Sequence, residues 1–563
     1  MNARLFTLII LAALVPISIR AAEKPNILVI LADDLGYADV GFQGCKDIPT
    51  PNLDKLAKRS LRCTNAYVTH PFCSPTRAGL LTGRYQQHFG HENNPVWNPE
   101  DTVSGLPLTQ VTLPQVLKTA GYVTGAVGKW HLGAHPQFHP NRRGFDEYVG
   151  FLGGGHIYLP GEKGGVEYNL PIDRNGTPEP LKEYITDFFG HEASAFITRH
   201  KSEPWFLYVA FNAPHTPLQA TEKQLSRVSG ITDEIRRKYG GLVVGLDDAM
   251  GEVLATLRDS GQDEKTLVFF MSDNGGPVGV THSDNAPLRG AKGQVFEGGI
   301  RVPFLVSWPG RLAQGKDYAL PISSLDVFAT AVALTGAKVP ETHHLDGVNI
   351  LPFLAGEKTG AAHEHLFWRT ANGTWAVREG NWKLLNMNNG KDQCFDLGGD
   401  IAEASDVAAE KPDVTAKLKN SYAAWNAENI TPVFSGPAAV RAKKRRRRSK
   451  CVAATPVDIA TATATLALLF HQTNPTMANT KSAAKRARQS ERRTNVNRRA
   501  LTAVKNQLKK FRTVVAGTDK AAAKAAAVEF ISTIDKAAKT GRVHQNAANR
   551  QKSAVHKALA KLA

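Results

Sequence analysis

The chain has 563 residues with 69 Lys/Arg against 51 Asp/Glu, a formal net charge of +18; that length exceeds one ordinary domain of ~100–200 residues and leaves room for an enzyme-sized core. The positive excess is confined to the C-terminal end: residues 477–563 hold 21 Lys/Arg and 4 Asp/Glu, residues 441–451 hold eight basic residues and no acid, and the first 440 residues come to −6. This distribution excludes a uniformly basic nucleic-acid binder, and five cysteines (Cys45, Cys63, Cys73, Cys394, Cys451) in so long a chain exclude a disulfide framework, although an exported protein could pair two of them.

In chain order, Arg4 followed by an apolar run from Leu5 to Ile19 reads as a secretory signal over residues 1–22, because ~7–15 apolar residues are too few to span a bilayer. Ile19 or Arg20 falls where a small residue is preferred, so an uncleaved tethering helix is the alternative. The segment from Pro25 to Ala32 is continuously apolar and rich in β-branched residues, as expected of a strand buried on both faces of a parallel sheet, and it ends in Asp33 and Asp34. Trp205 to Phe211 and Thr266 to Met271 repeat the design, with helix-like stretches such as 244–259 between them, which predicts an α/β layered domain. Ligands of open α/β sheets bind beyond the carboxyl ends of the strands, so Asp33, Asp34, the Asn212 to His215 segment, Asp273 and Asn274 are expected to meet in one crevice. From about 365 to 430, short strand-like pieces followed by a helix near 411–426 predict a smaller antiparallel subdomain. Residues 437–476 read as a basic, low-complexity linker. Beyond Met477, Leu501, Val504, Leu508, Phe511 and Val515 form the apolar stripe of an amphipathic helix, and similar stripes at 527–538 and 555–562 predict a small helical bundle.

Asp33, Asp34, Asp273 and Asn274 offer only oxygen donors, a set that suits Ca²⁺ or Mg²⁺ and disfavours zinc; each taken alone is more often a turn former. The run Cys73-Ser74-Pro75-Thr76-Arg77 through Gly83 resembles the signature of the sulfatase family, and Gly121-Tyr122-Val123-Thr124 through Gly128-Lys129-Trp130-His131-Leu132-Gly133 resembles its second signature. Ala213 to Pro217, Ser272 to Gly276, Pro287 to Gly293 and Glu297 to Arg301 resemble further sulfatase segments in the same order, so the resemblance covers roughly residues 25–430. It implies an α/β alkaline-phosphatase-like sulfatase fold with a small C-terminal antiparallel subdomain. The rival within that fold is a phosphatase or phosphodiesterase using Ser or Thr and two metals, against which Cys73 argues.

The resemblance further implies that Cys73 is converted to formylglycine by a separate formylglycine-generating enzyme. Asp33, Asp34, Asp273 and Asn274, with residue 73, would bind one divalent metal, Ca²⁺ by family resemblance, although the oxygen donors do not exclude Mg²⁺. Arg77 and Lys129 would hold the aldehyde hydrate, His131 would be the base of the elimination step, and His215 and Lys292 would bind the sulfate and protonate the leaving oxygen. A serine would fail, because attack on the substrate would leave a stable serine sulfate, whereas a hydrate has a second hydroxyl with which to expel the sulfate. The expected substrate is a sulfated carbohydrate or an aryl sulfate, in the periplasm or outside the cell, with no stable membrane partner. His156, after Gly153-Gly154-Gly155, has no matched motif behind it.

The text from Met477 to Ala500, with Gly541 to Asn546 and Arg550 to Lys552 near the end, is similar to the bacterial small-subunit ribosomal protein S-twenty family over all 87 residues to the C-terminus. That resemblance implies a three-helix bundle on 16S ribosomal RNA, in the cytoplasm, with Lys481, Lys485, Arg486, Arg488, Arg492, Arg493, His544, Arg550 and Lys552 as contacts. Ala547 and Asn549 depart from the family's pattern. The domains expected are therefore a signal at 1–22, a catalytic domain at 23–360, its C-terminal subdomain at 361–436, the linker at 437–476 and an rRNA-binding bundle at 477–563. Their opposed compartments imply two neighbouring reading frames joined through a frameshift, a lost stop codon or a misdrawn gene boundary, with Met477 the start of the second.

Overall fold

The computed structural model describes residues 24–388 and 390–436, parts of 503–515, and residues 519–540 and 545–560. The signal, the linker, Cys451, Lys481, Lys485, Arg486, Arg488, Arg492, Arg493 and His544 lie outside the described residues. The chain divides into two units, residues 1–452 and 453–563.

In the first unit the strands are β1 (Asn26–Ala32), β2 (Leu61–Cys63), β3 (Ala66–Tyr67), β4 (Val123–Lys129), β5 (Glu147–Phe151), β6 (Ile172–Arg174), β7 (Thr177–Glu179), β8 (Trp205–Ala210), β9 (Thr266–Ser272), β10 (Phe304–Ser307), β11 (Lys316–Tyr318) and β12 (Ile322–Ser323). Ten of them form one sheet in the order β11-β2-β10-β9-β1-β8-β4-β5-β6-β7. The continuous apolar runs are strands of its middle, where successive side chains alternate between two cores. Ile27, Val29 and Leu31 join Phe206, Tyr208 and Phe269 on one face, while Leu28, Ile30 and Ala32 join Leu207, Val209 and Phe270 on the other. Complete burial of each such Leu, Ile or Phe contributes ~1.5–3 kcal/mol. The first face is covered by the helices Cys73–Thr82, Leu113–Thr119 and Asp326–Thr335, the second by Ile185–Arg199 and Glu234–Asp259.

Parallel neighbours flank β1 as expected, and two features go beyond what the sequence implied. The sheet is mixed: β9, β1, β8, β4 and β5 run parallel, but β10 is antiparallel to β9, β2 to β10, and β6 and β7 close the far side as an antiparallel hairpin. These outer strands have only three or four residues, too few to carry a period; the one local signal is the tight turn Asn175-Gly176, where both φ are positive (53° and 86°). The helix expected at 244–259 begins ten residues earlier, at Glu234, capped by Asp233, which accepts the Arg236 N–H at 2.7 Å. Gly240, Gly241 and Gly245 lower its propensity, yet a Cβ at Gly241 would lie 2.7 Å from that of Ala220, so close packing requires glycine there.

The predicted subdomain is a four-stranded antiparallel meander, β13 (His365–Arg369), β14 (Trp375–Glu379), β15 (Trp382–Asn386) and β16 (Asp392–Asp396). One face packs Leu366, Trp368 and Phe395 on Tyr67, Phe296 and Ile300 of the main layer, and the other is covered by Leu418, Tyr422 and Trp425 of the helix Pro412–Ala427. Cys45, Cys63, Cys73 and Cys394 are unpaired thiols. Among the described residues no helix is long and apolar enough to cross a membrane.

The second unit contains the helices Lys520–Lys539 and Gln545–Ala560, the former capped by Asp519. Val504, Leu508, Phe511 and Val515 share one small core with Ala527, Phe530, Ile534 and Val555, so the expected stripes do face one another. Lys552 is paired with Asp535 at 2.8 Å.

Candidate active site

Strand register decides what meets. Leu31 lies opposite both Ala210 and Met271, Ala32 opposite Ser272, and Gly128 opposite Ala210. The carboxyl ends of β9, β1, β8 and β4 are therefore level, and Asp273-Asn274, Asp33-Asp34, the turn leading to His215 and Lys129 stand side by side. Consecutive residues of a strand would point to opposite faces, but Asp34 turns into the left-handed region (φ 67°), which holds both acids at the same crevice. Such a conformation costs a non-glycine residue ~1–3 kcal/mol and concentrates where function demands it. His131, at the end of β4, adopts the same region (φ 60°).

Cys73 opens a wholly buried helix, Cys73–Thr82, that ends at Gly83 in the left-handed conformation (φ 65°). Its Sγ lies 3.4 Å from Asp33 Oδ1, and Lys292 Nζ donates to it at 3.2 Å. Lys292 Nζ also donates to Asp34 Oδ2 at 2.7 Å, and His215 Nε2 is 3.6 Å from the same oxygen. One helical turn on, Arg77 donates from Nε and Nη2 to Asp273 Oδ2 at 3.0 and 2.8 Å and from Nη1 to the Lys129 carbonyl at 3.0 Å. Lys129 pairs with Asp33. Three buried carboxylates are thus interleaved with three cations. The side chains of Arg77, Lys129 and Asp33 are 0 % exposed, whereas His215 keeps 12 % and Lys292 15 %, so the crevice opens on the side of the last two.

The electrostatics follow from this packing. Burial raises the Asp34 carboxyl, but Lys292, His215 and Lys129 outweigh it and hold it well below the usual range. Burial and the neighbouring Asp273 push the Cys73 thiol far up, so as a thiol it stays protonated. Burial and the cations Lys129, Arg77 and Lys292 keep His131 neutral. Burial likewise brings His215 down to about 3, while Asp34 and its neighbours overcome burial to keep Lys292 charged.

These residues make a possible metal site. Donor atoms of Asp33, Asp34, Cys73 and His215 all lie within 4.8 Å of one another. Asn274 gives its Nδ2 hydrogen to Asp34 Oδ1 at 2.7 Å, while its own Oδ1 is buried without a partner, an orphaned acceptor among carboxylates.

Every centre residue expected from sequence in the first unit is brought together: Asp33, Asp34, Cys73, Arg77, Lys129, His131, His215, Asp273, Asn274 and Lys292. His156 lies elsewhere in role, with both ring nitrogens 2.7 Å from backbone carbonyls. Others escaped notice. Ser74 Oγ donates to the His131 carbonyl at 2.6 Å and touches His91 Nε2 at 2.6 Å, bracing the strained turn. A Cβ at Gly154 would lie 2.8 Å from His131 Nε2, so that glycine makes room for the imidazole. Asn212, whose segment was expected in the crevice, is buried just past β8 with both amide atoms unpartnered. The Asn-Ala-Pro-His run was the only local signal for it; for His91 and Gly154 there was none.

A nucleophile position at a helix start, acids at level strand ends and cations around them, on a sheet of this order, define a hydrolase of the alkaline-phosphatase-like class. Comparison with known proteins narrows this. The family model "Sulfatase" matches residues 25–337 and "N-sulphoglucosamine sulphohydrolase, C-terminal" matches 291–427. The chain belongs to the sulfatase family, enzymes that hydrolyse sulfate esters. It is 34 % identical to the N-acetylgalactosamine-6-sulfatase of Mus musculus over 427 residues, 71 % of this chain and 79 % of that one, and 38 % identical to the arylsulfatase A of Bos taurus over 402 residues, 66 % and 76 %. Among solved structures it resembles Ps i-CgsB, also solved with k-i-k-neocarrahexaose, at TM-score 0.69 and 41 % identity, covering 73 % of this chain and 94 % of that one. The phosphonate monoester hydrolase of Agrobacterium radiobacter shares the fold alone (TM-score 0.56, 21 % identity, 72 % and 96 % covered). Residues 478–560 match the model "Ribosomal protein S20".

Proposed function

We propose that the first unit cleaves the sulfate ester of a carbohydrate with a formylglycine made from Cys73 by a separate maturation enzyme. It would use one divalent metal held by Asp33, Asp34, Asp273 and Asn274 with residue 73. The observation that carries this reading is the position of Cys73 Sγ, 3.4 Å from Asp33 Oδ1 and 3.2 Å from Lys292 Nζ, at the point where acids and cations converge. When bound, the metal would polarise the sulfate oxygens and acidify a hydroxyl at that point; Ca²⁺ suits the donors, with Mg²⁺ the alternative.

The residues divide the remaining work. Arg77, anchored on Asp273, and Lys129, anchored on Asp33, hold the aldehyde hydrate and balance its charge. One hydrate oxygen bonds to sulfur as the bond from sulfur to the alcohol oxygen breaks, and that oxygen takes a proton from the Lys292 and His215 side, which is the open side of the crevice. His131 then takes the proton of the second hydroxyl, the carbon–oxygen bond to the sulfate breaks, sulfate leaves and the aldehyde returns. Mass spectrometry of the peptide holding residue 73, from protein active on 4-nitrophenyl sulfate, tests the reading. A peptide lighter than the thiol form is expected, and full activity with an unconverted thiol would overturn the mechanism.

The C-terminal subdomain at 361–436 would complete a catalytic domain at 23–360, exported by the signal at 1–22, with 437–476 a linker. The segment 477–563 would bind 16S rRNA in the cytoplasm through its basic face, including Lys481, Lys485, Arg486, Arg488, Arg492, Arg493, His544, Arg550 and Lys552. The family match beginning at 478, one residue after Met477, and the confinement of positive charge to this end support two reading frames joined into one. Peptides from the native ribosomal and exported fractions decide: none bridging 437–476 is expected, and bridging peptides would establish a genuine fusion; the alternative is a chain acting chiefly as the ribosomal protein, with the sulfatase part a misjoined neighbour.

A further inference from the structure

Beside the nucleophile lies a second cavity of about 590 Å³, within the ~300–1,000 Å³ that small-molecule sites occupy, and the Phe72 ring on its wall reaches Gly293, the neighbour of Lys292. Three distant pieces of chain build it. Phe72 and Asn94 come from the catalytic layer, Asn372 from the turn between β13 and β14, and Phe434 from the strap that follows the helix Pro412–Ala427. Its connection to the nucleophile is direct. Phe72 is the residue before Cys73, and Asn94 Oδ1 accepts the backbone N–H of Ser74 at 3.0 Å. The strap is held as firmly: Val433 N donates to Gly90 O at 3.0 Å, Asn93 Nδ2 to Phe434 O at 2.9 Å, and Arg369 Nη2 to Ile430 O at 2.6 Å. The Phe434 ring stands edge-on to His91 at 5.0 Å, and His91 touches Ser74 Oγ.

The lining selects its ligand by chemistry. Two phenyl rings supply apolar faces. Asn94 and Asn372 have their oxygens committed, the first to Ser74 N and the second to Thr374 N at 3.1 Å, which leaves their NH₂ groups as the donors they can offer a ligand. The one carboxylate on the wall, Glu92, is wholly buried and neutralised by Arg369. A cavity with apolar faces, amide donors and no available charge suits an uncharged ring with one apolar face and hydroxyls on its rim.

We propose that this cavity is a subsite for a neutral sugar residue adjoining the sulfated one, so that the enzyme recognises an oligosaccharide and not the sulfated residue alone. The proposal rests on the reading of the first unit as a carbohydrate sulfatase. Phe434 and Asn372 are then specificity-determining residues outside the catalytic centre.

The test uses the full matured chain, with 4-nitrophenyl sulfate and a sulfated galactan hexasaccharide as kinetic probes and the desulfated hexasaccharide as a binding probe in saturation-transfer NMR. Phe434→Ala and the exposed-loop variant Asn372→Ala are expected to lower kcat/KM on the sulfated hexasaccharide ~10-fold, through KM, while leaving aryl sulfate turnover within ~2-fold. Both should abolish binding of the neutral probe. Equal losses on both kinetic probes, or neutral-probe binding by the variants as strong as by the wild type, overturn the subsite. A wild-type chain that turns over neither sulfate ester defeats the sulfatase reading instead, and the neutral probe still decides the cavity.

Discussion

Two clusters of buried charge lie in the first unit, built from the same residue types and performing opposite tasks. At the seam between the main layer and the meander, Lys383 Nζ lies 2.8 Å from both Glu297 Oε1 and Glu403 Oε1. Glu297 also takes the Tyr67 hydroxyl at 2.6 Å and Arg301 at 3.3 Å. Around Asp33, Asp34 and Asp273 the charges are as deeply buried, yet Asn274 Oδ1, His131 Nδ1 and both amide atoms of Asn212 have no partner, and one side is open. Burial of charge therefore does not mark a catalytic centre. An open side with uncharged polar atoms left unpartnered beside it does, because a cluster closed on all sides presents nothing to a substrate or a metal.

The sharpest way to break the contrast is to remove one cation from each. Lys292→Ala should cut kcat/KM on 4-nitrophenyl sulfate by ~10³-fold or more, with the melting temperature unchanged or raised, since groups held for function seldom stabilise the fold. Lys383→Met should do the reverse. It strands two buried carboxylates, so urea unfolding should register a loss of ~3–5 kcal/mol while the folded fraction keeps its turnover. A Lys383→Met protein of wild-type stability would end the distinction.

A smaller effect is expected at the orphaned acceptor. Asn274→Ala should lower activity ~10–100-fold, recover part of it at high Ca²⁺, and move stability by less than ~1 kcal/mol; a chelator should likewise depress the wild type and added cation restore it. Insensitivity to both treatments would remove the metal from the site. Least affected is Glu403→Gln. Burial, with Glu297 alongside, raises the Glu403 carboxyl above its ordinary 4.5 despite Lys383. Ionisation of a group raised in this way favours the unfolded chain, so its penalty is absent below 4.5 and grows as pH rises through the folded value. The variant should thus match the wild type in acid and be equal or slightly more stable at neutral pH, within ~1 kcal/mol; thermal melts across that window check the sign.

How much was legible in advance follows from how each part is encoded. Asp33, Asp34, Asp273 and Asn274 stand directly after apolar runs, so strand ends and ligand-type residues were read together. Cys73, Arg77, Lys129, His131, His215 and Lys292 lay in short motifs. Gly154, His91 and Phe434 carry no such mark, because each matters only through a residue brought near by folding: His131 for the glycine, Ser74 for the imidazole, and Asn93 for the strap, 341 positions away.

By itself the sequence determined that two stretches of unlike composition follow one another, the sulfatase family of the first, the strands at the middle of the sheet and the chemistry gathered at their ends. All of these are written in runs of five to fifteen neighbouring residues, the scale on which burial period and motif spacing operate. Tertiary structure alone decided the antiparallel edges of the sheet, the closure of one charge cluster against the openness of the other, and the return of residues 430–436 to the wall beside the nucleophile. Apart from the β6–β7 hairpin, those features depend on pairings between residues tens to hundreds of positions apart, and a contact of that kind leaves no period in either partner's local sequence.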